Sequence, residues 1–432
     1  MERRIGLEQE FFLVDGEGKP SDRADEFLAR CRETAETEGL APEVFVGEVS
    51  TSMVEINTSP AHTVADLAGG YLASLDLALR AGRELDIRLY PLATYPLPVT
   101  PTLRDETRYE LQARTIGRVR FIHAGRFAGV HLHLELPTGA VDPDAVVSPN
   151  APAPARDELL NIYNLATALD PALVALTRSS PFYEGRASGL AVRTAFYRGS
   201  ALFGPEGLYT YLPEVGGLRP YAKSVEELVE RQLSGYRVWL EAMDRAGVER
   251  RLFLETGGNA LKAAWNPVRL NQHGTVELRG IDGNYPQVIL AVAALVYGAA
   301  SRVRRDGLTV EPDDQTLAFK VEEDRLFVPG FAYLGKILSY AGTTGGVENP
   351  EVSTYLDSIL EFVASDGWGS EHLAWLWFPE GSYRTTEAEI LRKLPRIIHL
   401  SVDEGLRLVN DACDEFEEQV SSLLREAPAR KA

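Results

Sequence analysis

The segment Gly129-Val130-His131-Leu132-His133-Leu134-Glu135-Leu136 alternates apolar and polar residues without a break. Successive side chains of a strand point to opposite faces. The run therefore predicts a strand over 127–136, with Val130, Leu132, Leu134 and Leu136 on one side and His131, His133 and Glu135 on the other. Such a strand has to bury its aliphatic side against another layer, which commits the chain to a sheet with titratable groups on its second face. One isolated histidine is usually structural, but two imidazoles and a carboxylate on one face suit a metal or a phosphate.

Three further stretches read the same way. Residues 3–14 form a predicted strand in which Glu8 and Glu10 share a face. Their Cα atoms are roughly 7 Å apart by the strand rise, close enough for each to hold one of two neighbouring cations. Residues 43–58 read as a hairpin. With Thr51-Ser52 as a two-residue turn, Glu48 and Glu55 stand directly opposite one another, where like charges destabilise a sheet unless a divalent cation lies between them. Thr-Ser is not a preferred hairpin pair, and a longer connection shifts that register. In Gly274-Thr275-Val276-Glu277-Leu278-Arg279-Gly280, Glu277 and Arg279 share a face, an arrangement that a surface ion pair also explains. Together the four strands predict a concave polar face whose charges are costly without bound ions, and apolar faces turned outward onto helices.

Helical spacing of apolar residues covers 24–38, 63–86, 104–122, 157–177 and 223–246. The Ala- and Pro-rich loop 137–156 reads as an insertion rather than a lid. Beyond Pro286 the pattern is mainly helical, broken by a charged stretch at 309–328 and a Gly-rich loop at 341–349, and it ends in one or two long helices over 387–425. Strand motifs thus lie mainly in 1–285 and helices dominate 286–432, which predicts an α+β fold. No repeat or clear linker divides the chain, so 1–432 reads as a single catalytic domain.

The 432 residues are 45% hydrophobic, enough for a large core. The net charge of −19 repels nucleic acid and anionic membranes, and neither is expected as a partner. An anionic nucleotide would need metal cations or local arginines at its site. Cys31 and Cys413 cannot form a disulfide framework, which favours a reducing compartment. With no apolar leader and no 18-residue apolar run, the expected location is the cytoplasm. Neither a P-loop nor a His-Glu-x-x-His motif is present.

In order along the chain, Ile5-Gly6-Leu7-Glu8-Gln9-Glu10-Phe11-Phe12, Val54-Glu55-Ile56-Asn57-Thr58, Gly129-Val130-His131-Leu132-His133, Ser180-Pro181-Phe182 with Arg186 and Arg193 downstream, and Gly274-Thr275-Val276-Glu277-Leu278-Arg279-Gly280-Ile281-Asp282 resemble the glutamine synthetase and glutamate–cysteine ligase superfamily. The nearest likeness is to glutamate–cysteine ligase type 2 (GCS2) carboxylate–amine ligases. The resemblance implies an antiparallel, saddle-like sheet flanked by helices. It implies two or more Mg²⁺ ions, one held by Glu10, Glu48 and Glu55 and another by Glu8, His131 and Glu277. Arg279, with Glu55, would be catalytic and meet the transferring phosphate. Arg193, Arg186 and His133 would contact substrate or nucleotide. ATP would be the co-substrate, glutamate the donor and an amine such as cysteine the acceptor, as in glutathione biosynthesis, and a homo-oligomer is compatible with this.

Three alternatives stand beside it. A phosphotransferase on the same fold would release a stable phosphorylated product. A catalytically silent relative would only bind ATP or metal. A metallohydrolase would use His131 and His133 on zinc, although the nearby carboxylates favour a harder cation. Trp265, Tyr285 and Tyr197 read as core or wall residues, and nothing marks a thiol pocket.

Overall fold

The structure is a computed structural model that describes residues 3–203, 206–364, 370–377, 381–394 and 397–426. Its centre is a seven-stranded antiparallel sheet. The strands are β1 (Ile5–Val14), β2 (Phe45–Gly47), β3 (Met53–Asn57), β4 (Arg88–Tyr90), β5 (Gly129–Glu135), β6 (Val268–Asn271) and β7 (Thr275–Asp282). Their order across the sheet is β6-β7-β5-β1-β3-β2, and β4 pairs with β1. The fold is α+β, as expected.

Alternation divides the sheet as the sequence predicts. Leu7, Phe11, Val54, Ile56, Val130, Leu132, Leu134, Val276 and Leu278 lie on one face, none more than 1% exposed. Full burial of such side chains stabilises by about 1.5–3 kcal/mol each. Gln9 is the polar exception on this face. It donates to the Asn284 carbonyl at 2.8 Å and accepts from the Tyr71 hydroxyl, so its burial leaves no unmet group.

Helices surround the sheet. They are α1 (Ala24–Glu38), α2 (Val64–Leu85), α3 (Ala153–Thr177), α4 (Val225–Arg245), α5 (Pro286–Arg305), α6 (Thr386–Lys393) and α7 (Val402–Glu426). α2 packs on β1 and β3, α3 on β7 and β6, and α5 on β5 and α3. α3 and α5 are long and apolar enough to cross a membrane, contrary to the expectation that no such run exists. Yet 89% and 78% of their most apolar stretches are buried within the fold, where they form its core.

Other local expectations change. The helix expected over 104–122 breaks at Gly117 (φ 101°) into Thr107–Ile116 and Arg118–Phe121. The Gly-rich stretch 341–349 is not a loop: Ser339–Thr344 is helical and Gly346–Glu348 forms a 3₁₀ turn. Glycine serves packing there, since a Cβ on Gly342 would lie 3.0 Å from the Pro171 carbonyl oxygen in α3. The charged stretch 309–328 is a second, three-stranded sheet, so strands are not confined to the first 285 residues. The loop 137–156 holds a short hairpin, Val141–Asp142 with Val146–Val147, and α3 begins within it at Ala153.

The C-terminal α6 is tied to the back of the sheet. Thr386 donates to Asn284 Oδ1 at 2.6 Å, and the same Asn284 holds Gln9 of β1. The buried Arg178 guanidinium grips the Glu387 carboxylate in two places, one of them at 2.9 Å. Removing one partner of such a pair leaves an uncompensated buried charge. Glu387→Ala is expected to lower unfolding stability by about 3–5 kcal/mol, and Arg178→Met with Glu387→Leu to recover most of it. Urea unfolding checks this, and a loss below about 1 kcal/mol would mean that the pair is not holding α6.

Candidate active site

Strand register builds the polar face row by row. Glu10 pairs across the ladder with Glu55, Glu8 with both Asn57 and His131, and Glu277 with both His133 and Arg269. Between Leu278 and Ile281, β7 carries one extra residue against β5, a bulge that turns Arg279 beside Glu277. Bulges of this kind re-aim side chains at functional sites.

The result is a cavity of about 270 Å³, with Glu8, Glu10, Glu48, Glu55, His131, Arg193 and Arg279 in its lining. Around His131 the groups are close. Nδ1 lies 2.9 Å from Glu8 Oε2 and 3.9 Å from Glu277 Oε1, and Nε2 lies 3.7 Å from Glu10 Oε1. Among the described residues, two groups could hold a cation: Glu8 with His131 and Glu277, and Glu10 with Glu55 and His131. The first is the set expected from the sequence. The second has His131 where Glu48 was expected.

Glu48 departs because the hairpin turn is longer than two residues. Gly47 pairs with Val54 and Val46 with Glu55, so Glu48 lies in the connection and not opposite Glu55. Its carboxylate accepts from its neighbour's amide, Val49 N, at 2.9 Å. It still lines the cavity, and its charge acts on Glu10 and Glu55.

The electrostatics separate these carboxylates into two kinds. Burial, then the Glu48 charge, pushes Glu10 up to about 7. Burial, then the charges of Glu8, Glu48 and Glu10, raises Glu55 well above the ordinary range, and burial raises Glu48. For Glu8 burial is outweighed by hydrogen bonds with His131 and His133, and its pKa falls. For Glu277 burial is outweighed by Arg269 and Arg279. His131, buried and facing the Arg279 charge, is lowered to about 4, so its imidazole is neutral near pH 7 and free to act as a ligand.

Arginines frame the site. Arg279 Nη1 donates to Glu277 Oε1 at 2.7 Å. Arg193, on an irregular helical turn at Arg193–Arg198, donates to the Arg279 carbonyl at 2.7 Å and lies over the Tyr197 ring. A Cβ on Gly129 would come within 2.4 Å of the Arg193 Cζ, so only glycine lets that guanidinium lie on β5.

Two expected contacts fall outside this cavity. Arg186 is exposed on the hairpin of Phe182–Tyr183 with Arg186–Ala187 and is not among the lining residues, so its position gives no support to a substrate contact. His133 is held by Thr275 Oγ1 at 2.9 Å, its Nε2 lies 3.2 Å from Glu8 Oε1, and the residue lines a neighbouring cavity of about 350 Å³. His131 and His133 therefore do not converge on one ion, which removes the basis for a two-histidine zinc site.

Sequence reading missed Arg269, which clasps Glu277 through Nε at 2.7 Å and Nη2 at 3.1 Å. Its signal, the alternation Val268-Arg269-Leu270-Asn271, is only four residues long. Tyr197 and Trp265 line the cavity, whereas Tyr285 lines a separate one against α6 and α7.

The donor set fits a hard divalent cation. It is rich in carboxylates with one imidazole. Among the described residues His131 Nε2 is buried without a hydrogen-bond partner, and the raised carboxylates are waiting for positive charge.

The sequence profile of glutamate-cysteine ligase family 2 (GCS2) matches residues 4–323. The chain belongs to this family. A Streptomyces avermitilis protein with the provisional name glutamate–cysteine ligase 2-1 is 30% identical over 187 residues, 43% of this chain and 45% of that protein. A Streptomyces coelicolor protein, provisionally glutamate–cysteine ligase 2, is likewise 30% identical over 187 residues. The chain thus spans less than half the length of these curated relatives. Among solved structures, a Francisella tularensis glutamate–cysteine ligase in complex with AMP aligns with a TM-score of 0.52 at 13% identity, covering 99% of this chain and 93% of that one. At that identity the likeness speaks to the fold.

Glu10, Glu48 and Glu55 have folded-state pKa values above their unfolded ones, so their contribution to stability is present at low pH and lost as pH rises. His131 acts in the opposite sense only below about pH 6.5, where its unfolded form is protonated. Metal-free protein is expected to lose thermal stability as pH rises to about 7, the value to which Glu10 is raised. Calorimetry at fixed ionic strength tests this, and a flat or rising Tm contradicts it.

Proposed function

We propose that this chain is an ATP-dependent carboxylate–amine ligase that activates the γ-carboxylate of glutamate as an acyl phosphate and passes it to an amine, releasing ADP and phosphate. The supporting observation is the convergence of Glu8, Glu10, Glu55 and Glu277 around the single imidazole of His131. Residues 1–432 act as one catalytic domain. ATP, glutamate and an amine are its partners, and two free buried cysteines suit a cytoplasmic protein.

A carboxylate is a poor acyl donor, and bringing it to ATP sets anion against anion. Glu8, His131 and Glu277 would hold one Mg²⁺, and Glu10 and Glu55, with Glu48 nearby, a second. Bound Mg²⁺ would supply the charge neutralisation that lets the phosphates and the donor carboxylate approach. Arg279, fixed by Glu277, presents a planar donor fork toward the phosphate in transfer. Arg193, fixed over Gly129 and bonded to the Arg279 carbonyl, adds positive charge beside it. His133 and Asn57 line the adjoining cavity on the β1–β3 side, which would receive the nucleoside.

Glu55→Gln removes one ion-holding charge at nearly constant shape. It is expected to lower ADP release with Mg-ATP, glutamate and an amine by at least about a hundredfold, with unchanged circular dichroism. Normal turnover would remove Glu55 from the site. Arg279→Lys cannot reproduce the fork and is expected to reduce kcat by about tenfold or more. Unchanged kcat would leave Arg279 a purely structural partner of Glu277.

A further inference from the structure

Three cavities meet at Glu8. The charged one described above shares only Glu8 with the cavity of about 350 Å³ beside His133. With the third, of about 390 Å³, it shares Glu8, Arg108, Gln112, Trp265 and Arg269. These shared walls decide which ligand each can take. An attacking amine has to reach the carbon being activated, so its cavity must open broadly onto the charged one. The base of a nucleotide sits a ribose and a triphosphate away and needs only a narrow link.

The third cavity differs in character. Trp239, Phe253, Trp265, Leu111 and Leu261 line it. Trp239 packs on Trp265 at 4.7 Å between ring centroids and on Phe253 at 6.5 Å, a preformed aromatic wall. A cavity of about 150 Å³ holds a benzene ring, so this one is far larger than a thiol side chain requires. Trp239 is 1% exposed, so this wall is fixed by packing. Lys262 lines the same cavity, is exposed, and has no ion pair among the described residues.

We propose that this cavity receives the acceptor, and that the acceptor is a primary amine carrying an aromatic ring, as in an aromatic amino acid or its decarboxylated amine. The proposal rests on the ligase reading above and deepens it. The amine lone pair attacks the acyl carbon of the glutamyl phosphate, the C–N bond forms and the C–O bond to phosphate breaks. Phosphate departs with the bonding electrons and takes up the proton that the nitrogen loses. No oxidant or further reactant is needed.

The full-length protein with Mg-ATP and glutamate is first given hydroxylamine, which traps an acyl phosphate as the hydroxamate. It is then given phenylalanine, tryptophan, phenethylamine, tryptamine and cysteine in parallel, with the amide products read by mass spectrometry. The expected result is hydroxamate formation and a kcat/KM for at least one aromatic amine about tenfold or more above that for cysteine. Comparison of the amino acids with their amines shows whether the carboxylate is read as well. Hydroxamate without aromatic preference overturns the acceptor proposal alone, whereas no hydroxamate and no ADP overturn the ligase reading and this proposal with it.

Phe253→Ala is expected to raise KM for the aromatic amine about tenfold, leaving KM for ATP and hydroxamate formation unchanged. Since Phe253 is buried, Thr256→Trp, which crowds the cavity from an exposed position, is the companion variant and should act in the same direction. A rise in KM for ATP in either variant, with that for the amine unmoved, would place the base in this cavity and overturn the proposal.

Discussion

Two glutamates, Glu10 and Glu55, face each other across adjacent strands of a sheet whose other face is apolar apart from Gln9. Directly opposed like charges destabilise a ladder, and burial makes them worse. No shift of register relieves the conflict, because moving either strand by one residue would expose Val54, Ile56 and Phe11 and bury their polar neighbours. The hydrophobic layer beneath therefore forces the carboxylates together, and the sheet is completed only by something positive. The arginines answer part of that need at Glu277, while among the described residues no guanidinium forms an ion pair with Glu10 or Glu55.

The remainder of the molecule enforces this arrangement. α3 and α5, apolar along most of their length, lock the back of the sheet. Gln9, which lies between Glu8 and Glu10 in β1, is fixed from behind through Asn284, and Asn284 is fixed in turn by Thr386 of α6. The last third of the chain thus bears on the strand that carries two of the acidic groups, although the family profile ends at residue 323. The β7 bulge lies beside Arg279, and Gly129 leaves room for Arg193, so both guanidinium groups stand among the acidic residues.

Much of this was legible in the residues because strand periodicity is a strict code. Glu8 and Glu10 in β1, His131 and His133 in β5, and Glu277 in β7 occupy the face that alternation assigns them. Glu48 shows where alternation ends: a longer connection moved it out of the ladder, and turn length is set by tertiary contacts such as the bridge of Ser50 to Leu103. Arg269 was hidden because four residues of alternation carry little signal. Arg186 was placed at the site by family likeness alone, and the strand that bears it, Arg186–Ala187, is exposed. The second sheet was hidden because its strands are short and charged.

The central claim is that His131 stands between two divalent ions on the polar face of the sheet. Anomalous diffraction from crystals of the intact protein soaked in Mn²⁺ tests it most directly. The account predicts two manganese peaks, one among Glu8, His131 and Glu277 and one against Glu10 and Glu55. Manganese confined to outer surface carboxylates, with none on this face, would contradict it.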